Sequence, residues 1–158
     1  RQASIALALR QAGDDENLAI PAFEIFFAER QRVQLFDDAL PALRALSARW
    51  PVVALTNGNA NVHTVGIGEY FTDSLNVQST GFAKPDVRMF ACAAQVLGQA
   101  PEHILHVGDD AMLDAVGARN AGMHAVWLNR SGLDWPVNDQ LAPLTVGSLQ
   151  QLCEMLAV

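Results

Sequence analysis

Between His106 and Asp114 the chain reads His-Val-Gly-Asp-Asp-Ala-Met-Leu-Asp, so the apolar run Ile104–Val107 ends in a glycine and three carboxylates in close succession. Carboxylates held this close repel one another and resist ionising unless a cation neutralises them. Mg²⁺ is the simplest such cation, a hard ion that takes oxygen ligands and often only one or two protein carboxylates. Two polar groups of a related kind lie upstream. The apolar run Pro51–Leu55 ends at Thr56-Asn57-Gly58-Asn59, and Ser79-Thr80-Gly81-Phe82-Ala83 leads to Lys84-Pro85. A hydroxyl, backbone N–H groups, a lysine and a metal are what a transferring phosphoryl group needs. Its charge lies on peripheral oxygens, so catalysis there is mainly positioning and electrostatics. Each fragment alone has an ordinary reading: a strand-to-helix turn at Thr56-Asn57-Gly58, a solvated loop lysine at Lys84, a helix N-cap at Asp109-Asp110. Their order and placement carry the signal.

The elements that would position these groups alternate. Gln2 to about Phe36 reads as helix, with a stop at Gly13 and an aromatic stripe of Phe23, Phe26 and Phe27 with Arg30, suited to packing between helices. From Asp37 strands alternate with helices. Asp37 and Asp38 suit the cap of a helix bearing Leu40, Leu43 and Leu46. Pro51–Leu55 suits a strand buried on both faces, followed by a helix over about 60–67 and a short strand near Leu75–Gln78. Asp86 starts a helix that Gly98 ends, Ile104–Val107 is a strand, and a helix from Ala111 stops at Gly122. Ala125–Leu128 is a further strand, and Ser148 with Gln151 forms a capping box for the last helix. This alternation implies right-handed crossovers and an α/β fold with a parallel, doubly wound sheet. Ligands of such sheets bind outside the carboxyl ends of the strands, where the three polar groups fall.

Composition narrows the partners. The chain has 158 residues, 51% of them hydrophobic, and a net charge of −7. That fits about one domain with a real core. The acidic balance, with no Lys/Arg-rich run, argues against nucleic acid or an anionic membrane. An anionic small molecule stays in play, because a metal and one lysine reverse the local sign. No apolar run approaches the roughly 20 residues a membrane span needs. Cys92 and Cys153 stand in no metal-ligand spacing, which fits a reducing, cytoplasmic setting. His63, His103, His106 and His124 show no ligand spacing and are assigned no chemistry.

The set Leu55-Thr56-Asn57-Gly58, Lys84-Pro85-Asp86 and Val107-Gly108-Asp109-Asp110 with Asp114, followed by Ala118-Arg119-Asn120-Ala121-Gly122-Met123, resembles the haloacid dehalogenase (HAD) superfamily. The resemblance covers roughly 37–158, and residues 1–36 resemble the remainder of that superfamily's N-terminal helical cap, in its small-molecule phosphatase branch. It implies a Rossmann-like core, Mg²⁺ and an aspartate nucleophile. Thr56, helped by Asn57, would bind the phosphoryl oxygens, and Lys84 would pair with the phosphoryl group and the nucleophile. Asp109 would be a direct metal ligand and Asp114 would act through water or Lys84. Asp110 stands where the family usually has a small polar residue, so a metal role for it stays open. Implied partners are small phosphorylated metabolites of the sugar phosphate, flavin or nucleotide monophosphate class, bound by a monomer or homodimer.

One departure is large. The superfamily's apolar strand ending in Asp-x-Asp-x-Thr, whose aspartates attack phosphorus and protonate the leaving group, is absent from this chain. That strand would lie between the strands ending at Thr56 and Asp109. The expectation is an N-terminally truncated, inactive piece of a Mg²⁺-dependent phosphatase working through an aspartyl-phosphate. A continuous sheet joining those two strands would contradict it. The alternatives are a metal-independent haloacid dehalogenase-type hydrolase, to which the acidic cluster is foreign, and a non-catalytic fragment or binding module. A phosphorelay receiver domain fits worse, since its acidic pair comes first in the chain, and no Walker-type lysine pattern occurs.

Overall fold

Apolar runs closed by capping residues set the order of elements in the computed structural model, which describes residues 2–138 and 141–158. The outermost residue of the expected cap range, and positions 139 and 140 within the core range, lie outside them. The chain begins with α1 (Gln2–Ala12), a 3₁₀ turn at Glu16–Leu18 and α2 (Ala19–Glu29). The expected helical stretch up to Phe36 is therefore broken. Gly13 takes φ +79°, which glycine reaches without steric cost, and Asp15 caps the next turn by accepting from Asn17 N. After α2, residues 30–38 run without regular helix. Phe23 stacks on Phe27 at 6.2 Å within α2.

The α/β part follows as α3 (Ala39–Ser47), β1 (Val53–Thr56), α4 (Val62–Val65), β2 (Asp73–Asn76), α5 (Val77–Thr80), α6 (Val87–Leu97), β3 (Leu105–Gly108), a π-helical segment at Ala111–Val116, α7 (Gly117–Asn120), β4 (His124–Leu128), β5 (Leu144–Val146) and α8 (Leu149–Leu156). Caps explain where expected boundaries shift. Asn61 accepts from His63 N and Thr64 N while Gly66 turns left-handed, so α4 is one short turn rather than a helix over 60–67. Asn76 and Ser79 form a capping box, which ends β2 at Asn76, two residues before the expected Gln78. Only half of the capping box expected at α8 forms. Ser148 Oγ accepts from Gln151 N, but Gln151 Oε1 accepts from Gly147 N instead of closing on Ser148. Asp38 precedes α3 without a side-chain cap. Its carboxylate takes two hydrogen bonds from Arg130 and one from Leu149 N, tying α3 to α8 and to the loop after β4.

Among the described residues all strand pairs are parallel, and they form two sheets. β1 pairs with β2, Val53 opposite Asp73. β3 pairs with β4, Leu105 opposite His124, and β4 with β5. Helix α6 bridges the two sheets: Met89 and Ala93 pack with Leu75 and Leu55, while Phe90 and Ala94 pack with Ala115, Ala118 and Trp127. Among the described residues no ladder joins β1 to β3. Their facing edges instead border a cavity of about 1220 Å³, lined by Val53–Leu55, Leu105–Asp109, Leu43 and Leu46 of α3, and Leu152 of α8. Among the described residues, β1 and β3 are each edge strands on this side, with no ladder partner across the cavity. No helix of the described residues is long and apolar enough to cross a membrane.

Candidate active site

The carboxyl ends of β1 and β3 point to the same end of the molecule, and the segment before α6 joins them there. At the end of β1, Thr56 Oγ1 accepts from Gly58 N at 2.9 Å, which curls the loop around the hydroxyl. Asn57 reaches across to the next segment. Its Oδ1 accepts from Lys84 N at 2.7 Å and its Nδ2 donates to Lys84 O at 2.9 Å. The Asn57 amide thus fixes the backbone from which the Lys84 side chain starts, with one amide hydrogen left for a ligand. The family resemblance gave Asn57 as a helper of Thr56 in binding phosphoryl oxygens and held no sign of this clamp.

Asp114 is the hub of the site. The π-helical segment over Ala111–Val116 returns it beneath the end of β3, as such segments often do at functional sites. Its Oδ1 accepts from Lys84 Nζ at 2.5 Å and contacts His106 Nε2 at 3.0 Å, and its Oδ2 accepts from Asp110 N at 3.1 Å. The Asp114 side chain is 4% exposed and that of Lys84 12%. A Cβ at Gly108 would overlap the Asp114 carboxylate, so this close approach requires glycine. Burial alone would push the Asp114 carboxyl up. The hydrogen bonds from His106 and Lys84, and then their charges, outweigh burial and hold its pKa at about 2. Lys84 is thus the cation paired with Asp114.

The sequence reading gave His106 no chemistry; the structure sets its Nε2 3.0 Å from Asp114 Oδ1. The signal was present: side chains alternate along a strand, so His106 and Gly108 share the face under which Asp114 returns. Phe90 meets the imidazole edge-on at 5.1 Å.

The other two carboxylates part company. Asp110 is the N-cap of the π-helical segment, and its Oδ1 accepts from Met112 N and Leu113 N. Asp109 is exposed at the end of β3 and borders the cavity. Its carbonyl accepts from Trp127 Nε1 at 2.9 Å, and its carboxylate has no hydrogen-bonding or ion-pair partner among the described residues. No three His, Cys, Asp or Glu side chains among the described residues form a metal-binding group. The donor chemistry still fits a hard cation at Asp109, since Mg²⁺ needs few protein carboxylates and completes its shell with water and phosphate oxygens. Asp114 already holds Lys84 Nζ, His106 Nε2 and Asp110 N.

The helical segment touches this end of the core as well. Gln31, two residues past α2, donates to Asn59 O at 3.2 Å and accepts from Asn61 N at 2.7 Å. The loop after β1 is thereby held from both sides, by Lys84 and by Gln31.

The chain as a whole is similar to known proteins. The haloacid dehalogenase-like hydrolase family matches residues 2–122. The chain is 37% identical over 129 residues to the 5-amino-6-(5-phospho-D-ribitylamino)uracil phosphatase YigB of Escherichia coli (strain K12), covering 79% of this chain and 54% of YigB. It is 36% identical over 152 residues to a phosphoserine phosphatase of Thermus thermophilus, covering 92% of this chain and 60% of that enzyme. The chain therefore spans between half and two thirds of these relatives. A crystal structure of a 2-haloacid dehalogenase from Pseudomonas syringae pv. Tomato DC3000 superposes with a TM-score of 0.90 at 35% identity, covering 99% of this chain and 70% of that one. With its Rossmann-like parallel strands and helices, this chain belongs to the haloacid dehalogenase-like hydrolases.

Proposed function

We propose that the whole protein is a Mg²⁺-dependent phosphatase that hydrolyses small phosphomonoesters through an aspartyl-phosphate intermediate. The observation that carries this reading is the pairing of a neutralised Lys84–Asp114 couple with a free Asp109 carboxylate on the rim of the cavity between β1 and β3. A metal-independent dehalogenation has no use for a free carboxylate at that point, whereas phosphoryl transfer uses it to hold a cation. In this reading the core, residues 37–158, seats a further strand in that cavity. The strand carries the nucleophilic aspartate and a second aspartate as general acid, neither of which this chain contains. Residues 1–36 are part of a helical cap that helps to choose the substrate.

The geometry supports a role for each residue in this reading. Thr56 Oγ1, already an acceptor from Gly58 N, turns its own hydrogen toward a phosphoryl oxygen. The remaining Asn57 amide hydrogen serves a second oxygen. Lys84, steered by Asn57 and Asp114, balances negative charge on the phosphoryl group and the attacking carboxylate. Asp109 would hold Mg²⁺, which would supply charge neutralisation at the phosphoryl oxygens. Asp114 and His106 fix Lys84 rather than touch substrate, and Asp110 keeps the π-helical segment in place. Without the nucleophile, the described residues can bind and orient a phosphomonoester but cannot turn it over. The substrate class is a small phosphorylated metabolite such as a sugar phosphate, a flavin precursor or a nucleotide monophosphate. YigB and the phosphoserine phosphatase, by their names, act on substrates of this size. The two free cysteines fit a cytoplasmic setting.

One finding favours a second reading, haloacid dehalogenation, because the 2-haloacid dehalogenase superposes so closely. The two separate in one experiment on the whole protein. The phosphatase reading expects phosphate release that stops with EDTA and no halide release from 2-chloropropionate. Halide release unaffected by EDTA establishes the other.

A further inference from the structure

Four arginines, Arg30, Arg44, Arg49 and Arg119, hold no carboxylate among the described residues; Arg44 donates to Tyr70 OH, Arg119 donates to Leu141 O, and Arg49 lies over the Trp50 ring. Arg10, Arg32, Arg88 and Arg130 each hold a carboxylate, and Lys84 holds Asp114. Arg30, at the C-terminal cap of α2, faces the ring of Phe26 at 6.0 Å and has no ion pair among the described residues. In a chain of net charge −7, an arginine left without an acid has its charge available for something else.

Its position says where that charge is directed. A methyl group built on Gly58 would lie 3.1 Å from Thr56 Oγ1 and 3.9 Å from Arg30 Nη2. The hydroxyl proposed to bind the phosphoryl group and the free guanidinium therefore flank one glycine, whose missing side chain leaves the space between them open. The approach is braced: the neighbouring Gln31 is bonded to Asn59 and Asn61 of the same loop, and the guanidinium lies over the Phe26 ring. A planar guanidinium presents paired N–H donors that match a carboxylate or phosphate.

We propose that Arg30 is a specificity residue, binding a second anionic group of the substrate beside the phosphoryl group at Thr56. The substrate is then a phosphomonoester that also carries a carboxylate or another phosphate, and the helical segment selects it against neutral phosphomonoesters of equal size. This rests on the phosphoryl-binding reading of Thr56 and Lys84. Solvation of an idle cap residue is the competing role, and it gives no ligand preference.

A matched ligand pair tests it. 3-Phosphoglycerate and glycerol 3-phosphate share a skeleton and differ by a carboxylate in place of a neutral hydroxymethyl group. Each is titrated into the 158-residue chain with Mg²⁺ present, with binding followed by NMR shifts. The original chain should prefer 3-phosphoglycerate by about tenfold, the scale of one charge-assisted hydrogen-bonded contact. Arg30→Gln should bring the ratio near one, and Arg30→Lys should keep part of it. Thr56→Val should weaken both ligands together. A ratio unchanged by Arg30→Gln, with both ligands still sensitive to Thr56→Val, overturns the role of Arg30 and leaves the phosphoryl site standing. If neither ligand binds, or Thr56→Val affects neither, the phosphoryl site itself fails and the proposal falls with it.

Discussion

Replacing Lys84 by methionine keeps most of the side-chain volume and removes the charge that neutralises Asp114. The carboxyl of Asp114 lies at about 2, against an ordinary value of 3.8. At roughly 1.4 kcal/mol per unit, that difference stabilises the folded chain by roughly 2–3 kcal/mol at neutral pH. The folded value is the lower one, so this stability is present above the unfolded value and is lost as pH falls through the folded one. In Lys84→Met, burial stays and its largest opposing charge goes, so the Asp114 pKa climbs toward or above the unfolded value. Removing one partner of a buried pair typically costs 3–5 kcal/mol. Because His106 and Asp110 N still bond the carboxylate, the expected cost is about 3 kcal/mol. Urea denaturation at pH 7 and pH 4, compared with the original chain, reads it directly. The cost should shrink toward pH 4, where the variant's Asp114 protonates, and Lys84→Met with Asp114→Asn should be more stable than Lys84→Met alone. A cost below about 1 kcal/mol, or one unchanged between the two pH values, refutes the reasoning.

Gly108→Ala places a Cβ where the Asp114 carboxylate sits; a loss of roughly 2–3 kcal/mol in the same denaturation assay is expected. Asp38→Asn removes a carboxylate bonded to Arg130 and Leu149 N. Hydrogen bonding from Arg130 holds its pKa down, so the variant should lose roughly 1–2 kcal/mol at neutral pH, and the deficit should fade as acid protonates Asp38 in the original chain. Asp109→Asn should weaken Mg²⁺ binding, read by calorimetry, on the order of tenfold. Asp110→Asn, an equally good N-cap, should leave it near the original value.

The three polar groups of the site were legible because each follows an apolar run or a turn, and strand ends on one side of a parallel sheet converge. Helix α6 and the Gly98 stop were legible for the same kind of reason, one apolar face and one left-handed glycine. What stayed hidden depends on atoms meeting across the fold. Nothing local links Asn57 to the backbone of Lys84, or Gln31 to Asn59 and Asn61. His106 looked like a strand residue without purpose until the π-helical segment brought Asp114 under Gly108, and π geometry leaves no periodic mark in so short a stretch. Asp38 reads as a helix cap by position, yet its carboxylate was claimed by Arg130, far away in sequence. The expected break between the strands ending at Thr56 and Asp109 was inferred from a missing motif, and the two sheets do stand apart there.

Phosphate release by the whole protein, with Mg²⁺ and then with EDTA, tests the central claim most directly when Asp109→Asn and Lys84→Ala are run beside it. The account predicts Mg²⁺-dependent hydrolysis of small phosphomonoesters that EDTA abolishes and that either substitution reduces by at least about a hundredfold. Full activity in EDTA, or full activity in Lys84→Ala, contradicts it.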